Sequence, residues 1–377
     1  MSNLFDYLTW RGDLSFGNAS LCPVDALVFS MLAYMDFEGI LPREVRDEPM
    51  RLADVAKAYF ARPSVAGGGI DARHEQLLRT LAASVRYGGL RVLAQRTLLD
   101  RKSGVQFGAL AFLLPGQNIF VAFEGTDNTL IGWKEDFRMS YECPVPAQLC
   151  AAEYLREVAA AYPLRRIFAG GHSKGGNLAM YAAVYGSPDI RARIRTVYNL
   201  DGPGFCDDTL SSPLYLEIRD RIRTYLPQSS IVAVLLEHDT NYKIVKSSNK
   251  GLMQHDGYSW EVLCTEFVYA TERTAFGKRT EDIVDRFVSL TSPERKRRFC
   301  EALFSILEAT EQDTLSGIFS GKRQSLRSIM GAYADLSEEM KTLLAETVNL
   351  LVQARRDVEK QERERLALAA AKTQKTS

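Results

Sequence analysis

The chain has no CxxC pair. Its six cysteines, Cys22, Cys143, Cys150, Cys206, Cys264 and Cys300, are scattered. That spacing offers neither a disulfide framework nor a zinc site. It reads as the mostly packing cysteines of a reduced, cytosolic protein. Net charge is missing too: Lys+Arg and Asp+Glu are both 47. A chain-wide electrostatic case for nucleic acid or an anionic membrane is thereby absent. No apolar run approaches the ~20 residues of a membrane-crossing helix. The opening MSNLFDYLTWRGDLSF lacks a basic region followed by an apolar one. No secretory signal is expected, and the sequon Asn18-Ala19-Ser20 reads as chance. No internal repeat is found.

What is present is ordinary globular composition, 46% hydrophobic and 25% charged over 377 residues. That suffices for a large core plus an accessory region. Val24 to Ile40 reads as a buried helix ending near Gly39, and RLADVAKAYFAR and RHEQLLRTLAASVR as amphipathic helices. Two apolar runs joined by Pro115-Gly116-Gln117-Asn118 predict a hairpin. Helix AQLCAAEYLREVAAAY, strand RRIFAGG, a helix to about Tyr185 and strand IRTVYNL follow. Further strands are expected within RIRTYLPQSSIVAVLL and at YKIVKSS. The alternation predicts an α/β protein with a largely parallel sheet covered on both faces. Past Ser292 the pattern turns helical and charged. The expected division is a domain over 1–292, with its N-terminal helices, and a helical appendage over 293–377 ending in a frayed tail.

The most informative stretch is FAGGHSKGGNLAMYAA. Gly171-His172-Ser173-Lys174-Gly175 fits G-x-S-x-G between a predicted strand and a predicted helix. Small residues two before and two after the serine allow a sharp turn that presents its hydroxyl at the top of a sheet. The N–H of Lys174, at a helix N-terminus, can then donate to an oxyanion. A plain glycine-rich turn could carry the same letters. A phosphate loop could not, because no Lys-Ser/Thr follows the glycines.

A nucleophilic serine needs a base, and only four histidines are available. His172 adjoins Ser173 and should point away. His74 falls in an early helix. His238 falls between the last two expected strands, beside Glu237 and Asp239. His255 follows the final one, where the base of such a chain order arrives, and is preferred. A second oxyanion N–H is expected from the loop Glu124-Gly125-Thr126, with Thr126 as donor, although a plain β-turn would look alike.

VAFEGTDNTLIGWKEDF, GGHSKGGNLAMYAA and the late His255 before Trp260 resemble the class 3 lipases of the α/β-hydrolase superfamily. Their core runs approximately F-R-G-T…W…D, then G-H-S-L-G-G-A-L-A, then a late His. The chain is still more similar to a group of largely uncharacterised bacterial lipase-like proteins. Their elbow is G-H-S-K-G-G-N, followed by D-G-P-G-F, here Asp201 to Phe205. The resemblance spans roughly residues 22–265. It implies an α/β-hydrolase fold, no metal or cofactor, and acyl-ester hydrolysis through an acyl-serine. Ser173, His255 and the Thr126 loop carry over by position. The chain departs from the lipases at Glu124, where they have Arg, and at Lys174, where they have Leu. Ser229-Ser230 also stands where they carry the acid.

With that position empty of a carboxylate, the acid is expected from the end of the preceding strand, at Asp201. An Asx-turn would equally explain Asp before Gly-Pro. Asp239, Glu237 and Ser230 remain as alternatives, while Asp256 adjoins His255 and should diverge from it. Trp133, Phe137 and Tyr141 fit an acyl pocket, a lid or plain core. The run Glu294 to Arg298 reads as a solvated helix face, and the C-terminal helix as a packed amphipathic helix. The expected protein is a cytosolic, cofactor-free serine hydrolase acting on an ester or lysophospholipid-like acyl substrate, with a thioester or amide as alternatives. A catalytically idle fold whose appendage binds a partner is the rival.

Overall fold

Strands β4 (Val105–Leu114) and β5 (Asn118–Phe123) pair antiparallel across a tight turn. Gly116 and Gln117 take positive φ there, 69° and 59°, the backbone such a reversal demands. The computed structural model describes residues 2–62, 72–205, 207–230, 232, 236, 239, 241–314, 317–318 and 322–375. From β5 the sheet continues parallel through β6 (Arg166–His172), β7 (Ile194–Leu200), β8 (Ile222–Pro227) and β9 (Tyr242–Val245). Antiparallel strands flank this core. On one side lie β1 (Met50–Arg51), β2 (Arg91–Val92) and β3 (Arg96–Asp100), which lead to β4. On the other, after the hairpin β10 (Val262–Leu263) and β11 (Glu266–Phe267), β12 (Tyr269–Ala270) pairs with β9.

Period-2 alternation divides the strand residues between two cores. Phe120 and Ala122 face the core shared with α1 (Leu4–Arg11), α2 (Pro23–Leu32), α3 (Leu52–Ala61) and α4 (Ala72–Ala83). Ile119, Val121 and Phe123 face the other, with α6 (Pro146–Ala161) and α7 (Lys174–Val184). Apolar residues therefore fill β5 without a polar face, as burial on both sides requires. α5 (Leu130–Arg138) follows the loop after β5. The short α8 (Pro188–Arg193), α9 (Asp207–Leu210) and α10 (Pro213–Ile218) link the later strands.

The arm is made of α11 (Ala275–Ser289), α12 (Pro293–Glu308), α13 (Lys322–Asp335) and α14 (Glu338–Lys375). It has a small core of its own around Ala302, Ile306 and Leu344. α11 packs against α14, and α12 against both α5 and α14. The Phe137 and Phe304 rings meet at 5.8 Å, and Lys134 Nζ reaches Glu308 Oε1 at 2.9 Å.

Three boundaries differ from the expectations. The helix expected over Val24 to Ile40, α2, stops at Leu32 rather than near Gly39. The Gln95 side chain takes the Phe37 N–H at 2.7 Å and donates to the Met35 carbonyl at 2.7 Å, removing both from a helical ladder. The helical arm begins at Ala275, before the composition shift, because α11 packs on α14. The last helix continues to Lys375. Arg355–Glu359 at 2.9 Å and Lys360–Glu364 at 4.0 Å give its charged end i,i+4 support.

Candidate active site

Ser173 sits between β6 and α7 with φ 58° and ψ −136°. That region is costly for a residue with a Cβ and is held only where surroundings enforce it. The serine N–H is fixed on the Leu200 carbonyl at 3.0 Å, and its own carbonyl accepts from Gly176 at 2.9 Å. The glycines are required by close approach. A Cβ on Gly171 would lie 2.2 Å from the Gly175 carbonyl carbon, and one on Gly175 would lie 2.2 Å from the Phe123 carbonyl oxygen. Strand and helix can meet at this angle only without those side chains.

Asp201 follows β7 directly, at φ 55° and 0% exposed. Its Oδ2 accepts from His255 Nδ1 at 2.6 Å, and Oδ1 accepts from the Ser230 hydroxyl. Burial pushes the Asp201 carboxyl upward, while His255, Ser230 and Arg273 hold it down. Ser230, standing where the lipases carry the acid, instead donates to one. Asp239 lies elsewhere, 3.4 Å from the Tyr215 hydroxyl. Asp256 turns to Arg73 at 2.6 Å. Glu237 and His238 lie outside the described residues, as does Cys206.

His172 does not point away from the site as expected. Its ring lies 4.6 Å from that of His255, tilted by 34°. Its Nε2–H donates to the His255 carbonyl at 2.7 Å, and its Nδ1 accepts from Tyr34 at 3.0 Å. Burial, with His255 adding to it, pushes the ring down to about 3, so it stays neutral. Residue 172 ends β6, and the turn at Ser173 carries the histidine ring to the same end of the sheet. His74 also reaches the cavity, packed between Tyr34 and Tyr258 at 5.5 and 5.3 Å.

The Thr126 hydroxyl donates to Asp136 of α5. Asp136 is pushed up to about 6, first by burial, with Lys174 and Thr126 opposing. The Lys174 side chain dives beneath the elbow. Its Nζ reaches Glu135 Oε2 at 3.1 Å and the Gln106 carbonyl at 2.8 Å. Both charged groups have 0% exposed side chains. Glu135 also accepts from the N–H of Gln106 at 3.1 Å and of Ala147 at 2.9 Å, so the buried charge is fully hydrogen-bonded. The lysine ties the residue after the serine to the helix after the Thr126 loop.

Ser173, His172, His255, Thr126 and Asp136 line one cavity of about 570 Å³. The remaining wall is largely apolar, with Met31, Trp133, Phe137, Leu252 and Met253 among its residues. Two members of the site carried little sequence signal. Tyr34 shows nothing in its neighbourhood to mark it. Asp136 matches the final D of the F-x-G-T…W…D pattern, a cue without an assigned role. Among the described residues, no group of three or more His, Cys, Asp or Glu side chains is placed to hold a metal ion. No described helix is long and apolar enough to cross a membrane.

The parallel strand order, the strand–serine–helix turn and the late histidine loop define an α/β-hydrolase fold. The family model for Mbeg1-like proteins matches residues 81–305, more than half of the chain, and the chain belongs to that family. No curated protein matches. Among solved structures, lipase II from Rhizopus niveus is 17% identical, covering 58% of this chain and 83% of its own, with TM-score 0.33. The lipase from Rhizopus microsporus var. chinensis is 15% identical, covering 64% and 98%, with TM-score 0.32. The Rhizomucor miehei lipase propeptide complex is 15% identical with TM-score 0.31, covering 42% of this chain and only 57% of its own length.

Proposed function

We propose that this protein is a serine hydrolase that cleaves acyl esters through an acyl-serine intermediate. Ser173 attacks the acyl carbonyl. His255 takes the serine proton on Nε2 and returns it to the leaving alcohol. Asp201 holds Nδ1–H, which fixes the tautomer and stabilises the imidazolium. Backbone N–H groups of Thr126 and Lys174 receive the oxyanion. Water, activated by the same histidine, then releases the acid. His172 is a positioning residue, which locates the His255 backbone through its carbonyl.

The observation that carries this reading is the 2.6 Å contact from His255 Nδ1 to a fully buried Asp201. It opens onto the same cavity as a serine held at φ 58°. A solvated loop histidine has no use for a buried carboxylate, whose desolvation is costly. The five described cysteines are free, which suits a reducing compartment. The likeness to bacterial proteins with the G-H-S-K-G-G-N elbow belongs to the same proposal.

The test is hydrolysis of a panel of aryl acyl esters by the full chain, with Ser173→Ala beside it. Turnover that disappears in folded Ser173→Ala supports the proposal. Equal turnover in both proteins sinks it. A wild-type chain inert to every ester and to acylating probes returns the idle, partner-binding fold as the better account.

A further inference from the structure

We propose that the helical arm is the acyl-chain wall of the site, and that the acyl group it takes is a linear aliphatic chain whose length the arm sets. The inference rests on the hydrolase reading and goes past it to name a specificity determinant. Seven cavity-lining residues come from the arm, and Lys296 is the only charged one among them. Val284, Phe287 and Val288 stand on α11, Phe299 on α12 and Thr347 on α14, with Thr291 between the first two helices.

The two threonines have their hydroxyls satisfied within the arm. Thr291 Oγ1 donates to the Phe287 carbonyl at 2.7 Å, and Thr347 Oγ1 to the Leu343 carbonyl at 2.7 Å. Neither hydroxyl calls for a polar partner on the ligand. The arm therefore offers hydrocarbon to a cavity that Ser173 and His255 also line. A cavity of about 570 Å³ lies within the usual range for small-molecule sites.

Exposure divides the lining: Leu252 and Met253 are 56% and 65% exposed, whereas Thr291 and Thr347 of the arm are 5% and 2% exposed and form a buried part of the wall. Phe299 packs on the arm's own core of Ala302, Ile306 and Leu344, so this part of the wall is braced from behind. Each methylene an acyl chain buries there raises kcat/KM by roughly fourfold until the wall is reached. One methylene too many is then rejected by about tenfold or more.

The experiment compares kcat/KM of the full-length protein on acetyl, butyryl, octanoyl and palmitoyl aryl esters. Thr347→Phe fills space at the buried arm wall, Phe299→Ala opens space there, and Val288→Trp narrows the partly exposed wall of α11. Binding of a fluorescent long-chain fatty acid is measured in parallel, with Ser173→Ala as the background for each variant. The ratio of octanoyl to acetyl kcat/KM should fall at least about tenfold in Thr347→Phe and in Val288→Trp. In Phe299→Ala the preferred chain should lengthen. Fatty-acid affinity should fall with the same two filling variants. Folded variants that leave both the ratio and the affinity within about twofold of their parents would overturn the proposal. If no ester is cleaved by the wild type, the hydrolase reading fails, and the fatty-acid measurement still decides whether the arm binds the chain.

Discussion

Ser173, which lines the cavity, and Asp201 behind His255 are 7% and 0% exposed, while Trp133 and Val288, also in the cavity wall, are 38% and 37% exposed. Ser173, His172 and Asp201 stand at or just past strand ends, and their polar neighbours come from distant parts of the chain. Hydrogen bonds from Ser230, His255 and Tyr34 converge on Asp201 and His172. The arm has a small apolar core of its own and meets α5 through the Phe137–Phe304 rings and the Lys134–Glu308 pair. The difference separates two demands. Proton transfer needs sub-ångström geometry, which buried, over-determined backbone supplies. Choice of acyl group needs only shape, which a lightly packed helical layer can supply.

The largest effects should come from the strand-end site. Ser173→Ala and His255→Ala should each lower kcat by up to about 10⁶, and the double variant no further, because the pair acts as one unit. Steady-state kinetics on any accepted ester checks this. Additive losses would separate the two residues.

Next in size is the strut beneath the elbow. Lys174→Met leaves Glu135 buried and unpaired, and Glu135→Met does the same to Lys174. Each should cost about 3–5 kcal/mol in urea unfolding. Combining the two apolar substitutions should recover most of that loss. A strut that merely fills space would give two small, additive losses instead.

Glu124 sharpens the comparison through pH. Burial, with Asp127 adding to it, pushes its carboxyl from 4.5 up to about 8, against the pull of Lys174. The folded state therefore holds a proton that the unfolded chain has released. This contribution is fully present below about 4.5 and is lost as pH rises through about 8. The melting temperature of the wild type should fall across that window, and Glu124→Gln should flatten the fall. Parallel curves would show Glu124 ionised at no cost.

The smallest effects belong to the arm's surface. Arg286 and Asp357 pair at 2.8 Å with side chains 41% and 32% exposed. Arg286→Ala should change stability by at most about 1 kcal/mol, and by less in high salt. A larger, salt-insensitive loss would give the arm the character of the strand-end site.

The α/β-hydrolase core was legible in the sequence because its signals are local: apolar strand runs, the Pro115–Asn118 turn, and glycines spaced around Ser173. Chain order and elimination singled out His255 and Asp201 as candidates, and the structure brings their side chains together. What was not legible depends on long-range packing. The Gln95 side chain that ends α2 lies far along the chain, and no helical period reveals it. The inward turn of His172 follows from the meeting of Tyr34 and the His255 loop. That the arm lines the cavity arises from packing of α12 on α5 and of α11 on α14, which amphipathic spacing alone leaves without an address.

The measurement that tests the central claim most directly is labelling by a fluorophosphonate, mapped to its residue by mass spectrometry. In the wild type the adduct should form on Ser173. Asp201→Asn should keep the fold and slow labelling by about 10³–10⁴, as loss of the residue that holds the histidine tautomer requires. Folded wild type without an adduct on Ser173, or an Asp201→Asn rate within about tenfold of the wild-type rate, would contradict the account.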